Sequence, residues 1–287
     1  MDVRVQQKMQ EEAQKIQDKM LKVKNKIMVM SGKGGVGKST VSVNLAVGLS
    51  LEGKKVGILD ADIHGPNVPQ MLGVEGSKIT DIRKPYEISS TLSAVSLSFY
   101  MDNSDKPIVF RGPAKSGAIR EILSNVDWGD LDYFILDTPP GTSDIHLTLL
   151  QTLSITGAVI VSTPQKVALA DARKGIDMYR NDKVNVPILG LVENMAYFTP
   201  AELPNNKYYI FGQDGAKNLA NELGVALLAQ IPIVQSICES GDAGEPAATK
   251  VDTITGQAFL SLAQSVITVV NRRNKEQAPT KIVKMKD

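Results

Sequence analysis

Five short stretches of the chain are apolar at every position, glycine aside: residues 27–30, 56–59, 133–136, 158–161 and 188–192. None alternates with polar residues, so each reads as a strand covered on both faces rather than one with a wet side. Between them the apolar spacing changes to that of helices, as at Val43, Ala46, Val47 and Leu49 and over 114–123 and 167–179. Strands alternating with helices predict an α/β fold, a single doubly wound, mostly parallel sheet flanked by helices. Residues 92–99 and 107–110 are expected to add strands, and 252–271 a long closing helix.

The two ends differ from this body. Val5, Met9, Ala13, Ile16 and Met20 recur every three or four residues, which is one face of an amphipathic helix. Residues 1–25 are therefore expected to form a helical segment, packed on the main domain or frayed in solvent. A membrane or partner contact is the other use of such a face. Lys15, Lys19, Lys22, Lys24 and Lys26 gather positive charge there, as solvated faces usually do. Residues 273–287 are polar and are expected to be a flexible basic tail.

The start of the body carries the chemistry. Residues 31–40 read Ser-Gly-Lys-Gly-Gly-Val-Gly-Lys-Ser-Thr, which fits the phosphate-loop template of Gly, four residues, Gly-Lys-Ser/Thr. Glycines let a backbone curl tightly round a phosphate, its N–H groups form an anion nest, and the next helix aims its positive end at the site. Gly32, Lys33, Gly34, Gly35, Val36, Gly37, Lys38, Ser39 and Thr40 are thus candidate nucleotide ligands. Lys38 would add a point charge at the outer phosphates and Ser39 a hydroxyl for Mg²⁺. An apolar strand before the loop and a helix after it are the context the motif requires. Residues 26–272 are accordingly expected to be a P-loop ATPase domain.

Carboxylates fall where such a domain needs them. Residues 133–136 run directly into Asp137, a second candidate Mg²⁺ ligand, followed by Thr138-Pro139-Pro140-Gly141-Thr142, a turn able to sense the γ-phosphate. Asp60 and Asp62 close the second strand, on the ligand side of a parallel sheet. Asp62 is read as positioning the attacking water, Asp60 as joining the Mg²⁺ shell, and a structural turn is the plainer use of the pair. His64 and His146, the only histidines, match no metal template and read as ordinary polar residues.

Composition narrows the classes. The chain has 287 residues, 43% of them apolar, enough for one large core. A net charge of +1 makes no case for nucleic acid. Cys238 is the single cysteine, so there is no internal disulfide framework. No run approaches the roughly 18 apolar residues of a membrane span, and the first residues lack a signal-peptide core. A cytoplasmic protein is expected.

With Lys33 beside the first glycine, the loop resembles the deviant Walker A group of dimeric P-loop ATPases, which includes MinD, ParA, the nitrogenase iron protein and the Mrp/ApbC iron–sulfur cluster carriers. The stretches 60–69, 137–142 and 192–195, with 209–212 and 241–244, resemble the Mrp/ApbC branch. The resemblance covers about residues 26–270. It implies a homodimer with ATP near the interface and Lys33 reaching the partner's nucleotide, where it would act as an arginine finger does. It further implies that Asn194 reads the adenine edge, and that slow, regulatory ATP hydrolysis times delivery of an iron–sulfur cluster to apoprotein clients or assembly proteins. Catalytic roles then fall to Lys33, Lys38 and Asp62. Neither a nucleic acid nor a membrane is expected as a partner. The usual Cys-x-x-Cys of that branch is missing from 198–207, and Cys238 gives two thiols per dimer where four are the usual ligand set. Cys238 is the candidate cluster ligand. The competing readings are a nucleotide-switched MinD/ParA-like scaffold without a cluster and an ATP-using synthetase. A nitrogenase-type reductase is disfavoured by the missing cysteines.

Overall fold

The apolar stretches become the centre of a sheet whose two faces are separately buried. The computed structural model describes residues 3–62, 65–77, 81, 83–100, 112–200, 202–203 and 206–283. In chain order the strands are β1 (Val23–Ser31), β2 (Val56–Asp60), β3 (Tyr86–Glu87), β4 (Leu92–Ser96), β5 (Leu131–Asp137), β6 (Gly157–Ser162), β7 (Ile188–Glu193) and β8 (Ala226–Gln230). The helices are α1 (Val3–Met20), α2 (Lys38–Leu51), α3 (Val68–Met71), α4 (Gly112–Asn125), α5 (Asp144–Thr152), α6 (Lys166–Arg180), α7 (Gly215–Leu223), α8 (Gln235–Asp242) and α9 (Ile254–Glu276). The sheet order is β3-β4-β2-β5-β1-β6-β7-β8, parallel throughout except for the short edge strand β3. This is the doubly wound α/β sheet expected from the sequence.

Strand side chains alternate between faces, and the alternation splits the core in two. Met28, Met30, Phe134, Leu136 and Ile160 lie on one face under α1, α4, α5 and α6. Ile27, Val29, Ile58, Ile135 and Val161 lie on the other under α2 and α9. Ile16 and Met20 of α1 are buried in the first layer, so the N-terminal helix packs on the domain; Ala13, on the same predicted stripe, is exposed.

Several boundaries differ from the sequence reading. Strand β1 starts at Val23 because its first residues alternate: Lys24 faces solvent and pairs with Asp132 at 2.8 Å, while Asn25 and Lys26 turn inward. The strand expected over 92–99 stops at Ser96 and gives way to a 3-10 turn at Leu97–Tyr100. The stretch 107–110 lies outside the described residues. The closing helix starts later than expected, because Thr253 caps it by accepting from Gly256 N at 3.0 Å. By length and composition alone α9 could cross a membrane. Its stripe Phe259, Leu262, Ala263, Val266 and Val270 is instead buried against α2. Gly48 permits the approach, since a Cβ there would sit 3.0 Å from Ala263 Cβ.

The flexible tail expected over 273–287 needs correction up to residue 283. Helix α9 continues to Glu276, and Arg273 Nη2 donates to Ala278 O at 2.9 Å and Thr280 Oγ1 at 2.7 Å. Val283 N donates to Leu150 O at 3.0 Å, and its side chain enters the core. A single buried valine and a buried arginine anchor the segment, a signal too sparse to read from its composition.

Lys26 is 6% exposed, and its Nζ donates to Val23 O at 2.8 Å. Burial pulls its pKa down from the usual 10.5 to about 8. Folding therefore disfavours the ammonium at neutral pH. The unfolded chain holds the extra proton between about pH 8 and 10.5, so stability from this site rises across that window. Lys26→Met should raise the urea-unfolding free energy at pH 7 by about 1–3 kcal/mol. The gain should shrink as pH rises through 8; a loss of stability at pH 7 would refute the account.

Candidate functional site

The loop between β1 and α2 is held open by glycine geometry. Gly35 and Gly37 sit at φ +79° and +80°, the left-handed region that costs other residues strain. Gly32 packs against α6, where a Cβ would fall 2.2 Å from the Asp171 carbonyl carbon. Helix α2 has Gly37 at its N-cap and no side-chain cap, so its first N–H groups keep their capacity for an anion. A glycine cradle of this kind over an uncapped helix end fits a polyphosphate.

Beneath it lies Asp137, fully buried at the end of β5. Its Oδ1 accepts from Lys38 Nζ at 2.7 Å and Ser42 Oγ at 2.6 Å, and its Oδ2 accepts from Ser39 Oγ at 2.6 Å. The expected residues Lys38, Ser39 and Asp137 are thus brought together. Ser42 joins them unforeseen; its position one turn beyond Lys38 and Ser39 on the same helix was the available signal. Asp60 is the register partner of Asp137 across β2 and β5. Burial and then the Asp137 charge push Asp60 well above the usual carboxylate range. Its oxygens turn toward its own loop, accepting from Asp62 N at 3.1 Å, Val68 N at 3.3 Å and Ser96 Oγ at 3.4 Å. Asp62 is half-buried at the same end of the sheet. His64 lies outside the described residues. The donor set around the cradle, one hydroxyl and two carboxylates, is the oxygen chemistry that suits Mg²⁺.

The family profile described as ParA, NUBPL iron-transfer P-loop NTPase, matches residues 22–267. The chain belongs to this family. An iron–sulfur cluster carrier protein from Aquifex aeolicus is 45% identical over 252 residues, 86% of this chain and 68% of that protein. The iron–sulfur cluster transfer protein NUBPL of Mus musculus is 42% identical over 247 residues, covering 84% of this chain and 76% of that one. Among solved structures, a nucleotide-binding protein from Archaeoglobus fulgidus in complex with ADP superposes with a TM-score of 0.70 at 39% identity, over 81% of this chain and 91% of that one. MinD from Pyrococcus horikoshii with Mg-ADP gives 0.63 at 25% identity, over 88% and 99%. The chain is thus a family member of the iron–sulfur carrier type, with the P-loop NTPase fold of MinD and ParA.

In this carrier-type chain the phosphate loop opens into a cavity of about 540 Å³ lined by Gly37, Thr40, Asn194, Ile210, Phe211 and Cys238 among others. Asn194, 6% exposed at the end of β7, donates from Nδ2 to Val36 O at 2.9 Å, which fixes its amide orientation. Its Oδ1 accepts from no described residue. Next to it, Glu193 is a fully buried clasp. It accepts from Ala216 N at 2.5 Å and Gln230 Nε2 at 2.7 Å, tying α7 and β8 to β7. Lys33 is half-buried, and its ammonium has no partner among the described residues. Cys238 is exposed, its Sγ 3.7 Å from Asp242 Oδ2. Among the described residues no three His, Cys, Asp or Glu side chains gather into a metal site.

His146 proves to be structural. Its Nδ1 accepts from Ser143 N at 3.1 Å in a capping box at the start of α5. Burial, then the Lys38 charge, pull its pKa down to about 4, so it stays neutral.

Both side chains of the Lys38–Asp137 pair are buried, and removing one partner of such a pair leaves an uncompensated charge. Lys38→Ala should destabilise the protein by about 2–4 kcal/mol. Adding Asp137→Asn should recover part of that loss in a double-mutant cycle. Strict additivity in denaturant unfolding would show that the pair is not coupled.

Proposed function

We propose that the chain binds and hydrolyses ATP as a homodimer and uses slow, regulatory turnover to time the transfer of iron–sulfur clusters to apoprotein clients or assembly proteins. The observation that carries this is the buried Lys38–Asp137–Ser39 cluster beneath the glycine cradle, with the Asn194 cavity alongside. Phosphate oxygens accept from the backbone N–H groups of residues 34–39 and from Lys38 Nζ, the residue best able to exchange the Asp137 carboxylate for a phosphate. Ser39 and Asp137, with Asp60 behind, would hold Mg²⁺, which when bound supplies neutralisation of phosphate charge. Asp62 orients the attacking water. Lys33 extends from its loop toward the partner subunit's nucleotide, where its charge stabilises the transferring phosphoryl group. The net charge of +1 and the engaged stripe of α9 support a cytoplasmic protein that uses neither nucleic acid nor membrane.

Mixing two defective proteins tests the dimeric ATPase. Lys33→Ala should bind ATP yet hydrolyse it poorly, and so should Asp62→Ala. Mixed dimers contain one site with an intact Asp62 and an intact Lys33 from the partner, so mixing should restore part of the phosphate release. No rescue, with subunit exchange shown by fluorescence transfer, would place Lys33 within its own site or outside the reaction.

Base choice follows from the fixed amide of Asn194. With Nδ2 committed to Val36 O, Oδ1 faces the base as an acceptor, which suits the exocyclic amine of adenine. Guanine would present a carbonyl there, acceptor against acceptor. ATP should bind at least about tenfold more tightly than GTP, about 1.4 kcal/mol. Equal affinities in a competition titration would remove Asn194 from this role.

The cluster is cargo, and this chain offers Cys238 as its one thiolate. Two per dimer can ligate half of a cluster, leaving the rest to a client's cysteines. Anaerobic reconstitution with iron and sulfide, followed by absorbance, should give a weak and substoichiometric cluster that Cys238→Ser removes. A stable stoichiometric cluster in the variant would place the ligands elsewhere. No cluster at all, with ATP turnover intact, would favour the nucleotide-switched scaffold, the reading that the missing cysteine pair over 198–207 keeps alive.

A further inference from the structure

The cavity that ends at Asn194 has one reactive group on its wall. Cys238 lines it from α8, together with Asp242 one turn on and Gly37 and Thr40 of the phosphate loop. The thiol is exposed, and no second cysteine exists to consume it in an internal disulfide. A second side chain independently marks the same cavity as a ligand site. Asn194 is 6% exposed, its Nδ2 is committed to Val36 O, and its Oδ1 accepts from no described residue. The remaining wall is largely apolar, with Met71, Ile210 and Ile237. One space therefore holds both an acceptor awaiting a ligand and the only thiol of the chain.

We propose that Cys238 is a covalent modification site through which small disulfides control nucleotide entry. The proposal rests on the reading of this cavity as the base pocket. The deprotonated Sγ attacks one sulfur of a low-molecular-weight disulfide of the glutathione class. A sulfur–sulfur bond forms to Cys238, the original disulfide bond breaks, and the other half leaves as a thiolate that takes a proton from water. The Cys238 sulfur is oxidised and the leaving sulfur reduced, so no further oxidant is needed. The appended tripeptide is comparable in bulk to a base with its ribose. Tethered to the cavity wall, it competes with them for that space. Nucleotide binding is therefore switched off while the adduct persists and restored when a thiol reductant removes it. The blockage lies in the cavity itself, so the device needs no movement of the sheet or the phosphate loop.

The test uses the full chain, glutathione disulfide and a fluorescent ATP analogue. Intact mass and peptide mapping should find one adduct, on Cys238. ATP affinity should fall at least about tenfold and recover with dithiothreitol, and saturating ADP should slow adduct formation. Cys238→Ser, whatever its own affinity, should bind ATP equally before and after the disulfide. Asn194→Leu separately probes the cavity. If the adduct forms and affinity is unchanged while Asn194→Leu weakens ATP, the proposal is overturned and the base-pocket reading stands. If neither change affects ATP, both fail. Absence of an adduct on Cys238 also overturns the proposal.

Discussion

The nucleotide end of this protein is organised by one buried carboxylate. Asp137 is withdrawn from water, a loss that is tolerable only when its oxygens are well supplied with donors. Lys38, Ser39 and Ser42 supply them from the first two turns of α2. The same segment fixes the neighbouring strands. Asp137 O accepts from Ala61 N at 2.8 Å, and Thr138 Oγ1 donates to Val29 O at 2.8 Å. The start of α2, the end of β5 and the loop after β2 are thereby held in one arrangement. That arrangement presents the glycine loop to whatever anion binds it.

A second constraint lies in the parts around that carboxylate. The sheet beneath is buried on both faces and cannot shift without opening two cores. The ends of the loop after β2 add longer bonds to Asp60, from Asp62 N at 3.1 Å and Val68 N at 3.3 Å.

Legibility in the sequence tracked the range over which each feature is encoded. The phosphate loop and Asp137 were readable because strand, loop and helix are contiguous and the residue types are dictated by local chemistry. The two-faced strands were readable because burial on both sides leaves no polar position. Strand β8 was missed: its five residues end in a half-buried Gln230 and include two alanines, a weak strand signal. The cavity could not be assembled beforehand, since Gly37, Asn194, Phe211 and Cys238 come together only through sheet order. The docked segment 277–283 was hidden for the same reason, as its partner Leu150 is remote in sequence. Helix α9 was legible as a long closing helix, and its apolar stripe covers α2.

Gly37 and Asn194 form one steric unit. A Cβ on Gly37 would stand 2.1 Å from Asn194 Nδ2, so the glycine makes room for the amide as well as for the turn. An alanine at 37 would eject the amide that closes the cavity even if the backbone tolerated the strain. In an evolving lineage the two positions are therefore not independent sites. Variation at one passes only with compensation at the other, and the tight turn of the phosphate loop and the amide on the cavity wall are inherited together.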